Sequence, residues 1–90
     1  MAYQIAWRWS HRKSKGGVHG CFATLEEARK ELAETLHSLI DTTVVEGIEP
    51  LLYTIAFTRA AHAEVGDVVS LTDRPTRLTL EHWIEETPHG

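Results

Sequence analysis

Cysteine is nearly absent from this 90-residue sequence: Cys21 stands alone. No internal disulfide can form, so packing and hydrogen bonding must hold the fold, as suits a reducing compartment. Long apolar runs are missing too. No segment approaches the roughly 20 consecutive apolar residues of a membrane span. Met1–Trp9 is interrupted by Gln4 and Arg8 and is followed by a basic stretch, unlike a secretory signal. These absences lead us to expect a cytoplasmic protein that does not associate with membranes. Common catalytic signatures are also lacking. The chain has no phosphate-cradling glycine-rich loop, no nucleophile elbow and no His-Glu-x-x-His zinc helix. The expectation is therefore a protein without cofactor or metal that is not an enzyme.

A further absence is local. Residues 1–22 contain none of the thirteen acidic residues, yet they hold four of the nine basic ones: Arg8, Arg12, Lys13 and Lys15. The net charge of −4 thus conceals a basic N-terminal quarter and a strongly acidic remainder. With 42% hydrophobic and 24% charged residues the composition is that of a globular protein, and the length suits a single domain spanning 1–90.

Tyr3, Ile5, Trp7 and Trp9 alternate with Gln4, Ala6 and Arg8, which predicts a strand. Residues 10–17 are polar, basic and end in Gly16-Gly17, as a hairpin tip does. Val18–Phe22 reads as the returning strand, with Val18, Gly20 and Phe22 on one face. Thr24-Leu25-Glu26-Glu27 is a capping box, in which the Thr24 hydroxyl and the Glu27 carboxylate satisfy each other's amides. Leu25, Ala28, Leu32, Leu36, Leu39 and Ile40 then recur at helical spacing, predicting an amphipathic helix over about 24–40. A connection over 41–50 follows. Leu51–Arg59 is apolar on both faces and reads as a central strand. Asp67–Thr72 reads as a further strand and 73–76 as a turn. For 79–86 two patterns compete: Leu78, Leu80, His82 and Ile84 alternate as in a strand, while Thr79 is placed to cap a short helix carrying Leu80, Trp83 and Ile84. Residues 87–90 read as a frayed tail. The expected fold is α+β, one helix packed on a mostly antiparallel sheet, in the order ββαβββ or ββαββα.

Two charged surfaces are candidate interaction sites. Arg8, His11, Arg12, Lys13 and Lys15 form a basic hairpin tip, where a two-stranded ribbon is able to enter a nucleic-acid groove and glycines permit close backbone approach. Most such tips simply keep an edge soluble. Trp7 and Trp9 share a face with Tyr3 and Ile5, so core packing is expected of them rather than base stacking. Glu27, Glu31 and Glu34 form an acidic ridge along the helix, which is either a solvated face or a contact for a basic partner. His19 and Cys21, two residues apart, have zinc-ligand chemistry, but no further ligands stand at suitable spacing. Cys21 as a nucleophile would require His19 as its base; a small cysteine in a strand is more often a packed apolar residue.

The segment Gly20-Cys21-Phe22-Ala23-Thr24-Leu25-Glu26-Glu27-Ala28 resembles the strand-to-helix junction of plant-type Apetala DNA-binding domains and of HicB-like antitoxins. The resemblance covers nine residues. Both families place three strands before their helix where this chain has two, and about 50 residues follow here. It implies a nucleic-acid-binding or antitoxin-like regulatory role. The residues themselves favour a non-catalytic protein-interaction module (an inhibitor, adaptor or regulatory subunit) acting through charged surfaces. The expected partner is another protein, with nucleic acid as the alternative. A homodimer is compatible with the short edge strand 18–22.

Overall fold

The computed structural model describes residues 2–12, 16–41, 50–72 and 77–87. Among these, strands β1 (Tyr3–Trp9), β2 (Gly17–Phe22), β3 (Val69–Thr72) and β4 (Thr79–Glu86) and helices α1 (Leu25–Asp41) and α2 (Pro50–Ala61) form an α+β fold. The sheet is antiparallel throughout, in the order β2-β1-β4-β3. Its centre is the pairing of the first strand with the last, in register from Tyr3 opposite Glu86 to Trp9 opposite Leu80.

Strand alternation decides the two faces. Ile5, Ile84, Val69 and Leu71 are buried on one face, against Ala28, Leu32, Ala33 and Leu36 of α1 and Ala56 and Ala60 of α2. Helix α1 lies across β1, β4 and β2, whereas α2 lies beside α1 and over β3. The capping box forms as the sequence implies: the Glu27 amide donates to Thr24 Oγ1 at 3.2 Å. The reciprocal bond is displaced by one residue, with Ala23 rather than Thr24 donating its amide to the Glu27 carboxylate at 3.3 Å.

Two departures from the sequence-based expectation, and one choice between strand and helix that it left open, have physical causes. First, 51–59 is helical, not a central strand, so the order is ββααββ. Tyr53, Thr54, Ile55, Phe57 and Thr58 have strand propensity. However, Pro50 suits the first helical position, and Ala56 and Ala60, one turn apart, let the helix sit close against the core. Second, 79–86 is a strand, and a central one, because Leu80, His82 and Ile84 fill the core face between two neighbours. Third, β2 contains a bulge. Tyr3 pairs with Phe22 but Ile5 pairs with His19, so Gly20 and Cys21 together face Gln4. Gly20 carries the positive φ (79°) that such a bulge requires. Val18 and Phe22, expected on one face, consequently lie on opposite faces: Phe22 packs on the core and Val18 is exposed. The connection at 42–49, the turn at 73–76 and the tail at 88–90 lie outside the described residues.

The Phe22 ring lies directly over Gly20, closer than any Cβ there would tolerate. Replacing Gly20 with Ala should cost about 1–3 kcal/mol through backbone strain and displacement of that ring. Gly66 also has a positive φ (89°) but has open space around it, so Gly66→Ala should cost less. Urea midpoints of the two variants check the difference.

Candidate interaction surfaces

The basic tip is smaller than the sequence suggests. Arg8 lies on the helix-free face of the sheet, opposite Glu81 in register, and its Nε donates to Glu81 Oε1 at 2.9 Å. Its guanidinium also stands 5.3 Å from the centre of the Trp83 ring, a cation–π distance. His11 and Arg12 are exposed at the tip, where the Arg12 amide closes a turn on the Trp9 carbonyl at 2.9 Å and the His11 ring tilts beside Trp9. Lys13 and Lys15 lie outside the described residues. Gly16 and Gly17 do provide close approach, but to the Trp7 indole, which occupies the space where their Cβ atoms would stand.

The rest of the helix-free face is tied to itself. Glu85 accepts from Gln4 Nε2 at 2.6 Å and from Trp83 Nε1 at 3.2 Å. Together with the Arg8 contacts this makes a continuous net, Gln4–Glu85–Trp83–Arg8–Glu81. Ala6, paired with both Val18 and Trp83, is completely buried within it. Polar groups already satisfied by one another gain little from a partner that must displace those bonds. The centre of this face is therefore closed by its own contacts, while Val18 and Cys21 at its β2 edge stay exposed.

On α1 the acids divide. Glu27 caps its own helix, Glu31 is half-buried and Glu34 is exposed. Arg29, unmarked by any sequence pattern, proves structural: it donates to the Ala63 carbonyl at 2.6 Å and to Glu64 at 2.8 Å, clamping α1 to the segment that follows α2. The bulge also separates the two potential zinc ligands. His19 shares the core face with Ile5, while Cys21 is exposed on the opposite face. Among the described residues no group of three or more His, Cys, Asp and Glu side chains is placed to hold a metal ion. No helix among them is long and apolar enough to cross a membrane.

The surface around α2 differs in kind. Ile55, Phe57, Val65 and Val68 are all large, apolar and about 40% exposed. Helix α2 has no strong apolar stripe; it is apolar on several sides. Phe57 borders a shallow groove between the helices, with Glu26, Lys30 and Ala33. Ile55 and Arg59 border a second groove, beside β3, of about 150 Å³. That is under the roughly 300–1,000 Å³ of small-molecule sites, whereas the Phe57 groove, at about 320 Å³, stands at the low end of that range. Sequence periodicity missed this surface because 51–59 resembles a buried strand, in which exposure of Ile55 and Phe57 has no meaning.

No protein-family model, curated protein or solved structure matches the chain.

One titratable group is unusual. His82 is 3% exposed on the core face, between Trp7 and Val69 in register, and its Nδ1 has no hydrogen-bond partner among the described residues. Burial, and secondarily the charge of His19, push its pKa down to about 4. The unfolded chain takes up this proton near pH 6.5, whereas the folded chain resists it until about pH 4. Stability should therefore fall as pH drops from 6.5 toward 4, by on the order of 3 kcal/mol, and then level off with respect to this group. Urea midpoints at pH 7 and pH 5 should separate more in the native sequence than in His82→Leu. Equal separations would remove His82 as the cause.

Proposed function

We propose that this protein is a non-catalytic protein-interaction module, an inhibitor, adaptor or regulatory subunit, and that it engages its partner mainly through the α2 side. The observation that carries this reading is the gathering of four exposed apolar side chains, Ile55, Phe57, Val65 and Val68, within fourteen residues of chain. Single exposed apolar residues are ordinary; here Ile55 and Phe57 border different grooves, toward β3 and toward α1, and it is the density of apolar exposure around one helix that marks an association surface. Charge has a secondary part. The exposed His11 and Arg12, with Lys13 and Lys15, and the ridge of Glu31 and Glu34 polarise the molecule and steer its encounters. Engagement of Arg8 by Glu81 weakens the alternative reading, nucleic-acid binding at the hairpin tip, by removing one cation from it.

The test is capture of partners from host lysate on the tagged protein, with and without nuclease. A specific protein should co-purify in both cases. Phe57→Glu should reduce its recovery about tenfold or more, the usual effect of losing an apolar anchor; because Phe57 is only 40% exposed and borders α1, the variant's melting temperature is measured alongside to separate lost binding from lost folding. Arg12→Ala with Lys13→Ala should have a smaller effect, growing at low salt. Recovery that requires intact nucleic acid would overturn the proposal.

A further inference from the structure

Strand β3 is an edge strand, and the two edges of this sheet are not alike. Edge strands usually carry a device that prevents pairing: a charge, a proline or a bulge. β2 has the Gly20 bulge. β3 reads Val69-Ser70-Leu71-Thr72 and has none of these, and among the described residues no strand pairs with its outer side. Helix α2 lies over β3, so the groove between them is walled by the helix on one side and floored by the free strand edge.

Three residues of α2 line this groove, Ile55, Ala56 and Arg59, and the two long side chains among them are Ile55 and Arg59. They are one helical turn apart, about 6 Å along the axis. Alternate residues of an extended strand, which point to one face, are about 6.6–6.8 Å apart. A strand added to β3 would thus set successive helix-facing side chains against Ile55 and against Arg59. Ile55 is 42% exposed and apolar. Arg59 is exposed and has no ion pair among the described residues, whereas Arg8 and Arg29 are engaged with Glu81 and Glu64. His62 borders the continuation of the groove, beside Val68. The side chains that point to the other face would stand beside Ser70 and Thr72, where polar residues suffice.

We propose that this groove binds an extended segment of a partner protein as a fifth strand beside β3, and that it selects an apolar residue and an acidic residue separated by one position. The proposal rests on the interaction-module reading and names the ligand of its α2 side. Backbone hydrogen bonds to the β3 edge supply sequence-independent affinity, and the Ile55–Arg59 pair supplies the choice of sequence, as in other strand-addition complexes.

The test uses the full chain and a displayed library of random heptapeptides. The native protein should enrich apolar-x-acidic or acidic-x-apolar peptides. Arg59→Glu, an exposed substitution whose folding is checked by circular dichroism, should enrich basic residues at the same position instead. The best peptide, resynthesised with N-methyl groups on the amides that face β3, should lose affinity by at least about tenfold. No enrichment, an unchanged preference in Arg59→Glu, or indifference to N-methylation would overturn the proposal. A concentration-dependent dimer in sedimentation equilibrium that Ile55→Glu dissociates would overturn it in favour of a second copy at the same edge. A lysate partner that binds Arg59→Glu as well as the native protein, and is not displaced by the peptide, would remove the groove while leaving the interaction-module reading intact.

Discussion

The pairing of β1 with β4 is the contact on which the rest of the molecule depends. It joins the two ends of the chain over seven residue pairs, and at its middle Ile5 faces Ile84, both fully buried. Each remaining strand is attached to one of these two, β2 to β1 and β3 to β4, and the helices are laid on the surface that the central pair creates. Helix α1 rests on both partners and on β2. Closing a loop this long carries a large but slowly growing entropic cost, which the burial of Ile5, Leu32, Leu36 and Ile84 must offset.

The two faces of this sheet solve the same problem in opposite ways. One is covered by helices through alanines and leucines. The other has no helix and instead links its polar side chains to each other, with the Trp83 indole spread among them as both donor and cation partner. Among the described residues, most of the exposed large apolar side chains lie on or just after α2, with Val18 at the β2 edge the exception on the sheet. Helix α2 buries Ala56 and Ala60, and its larger side chains at 55 and 57 point elsewhere. Among its described side chains, the helix packs through Ala56 and Ala60 and displays Ile55 and Phe57.

Much of this was legible in the sequence. The alternation at 3–9, the Thr24–Glu27 box and the leucine stripe of α1 each rest on local physics, and each element forms within a residue or two of its expected limits. Failures came where a local signal had two meanings or where the decisive contact was distant. Residues 51–59 combine β-branched and aromatic side chains, and what favours helix lies partly outside them: Pro50 at the first helical position and the packing of Ala56 with Ala60 against the core. The bulge at Gly20 shifts the side-chain pattern by one residue, which no alternation count reveals. Arg8 looked like part of a basic tip because its neighbours in sequence are basic; its true partner, Glu81, is 73 residues away. The candidate surface was the least legible part. Exposure of Ile55 and Phe57 follows from tertiary packing of their helix, and composition records only that they are apolar.

The central position of β4 also has a consequence for synthesis. A ribosome makes the chain from its N-terminus, so β1, β2 and both helices emerge before the strand that completes the sheet. During that interval β1 lacks its β4 neighbour and β3 has no strand to pair with, while the leucine stripe of α1 and the apolar sides of α2 already exist. The nascent protein therefore passes through a stage in which its apolar surfaces are present before β4, the strand that joins β1 to β3, has been made.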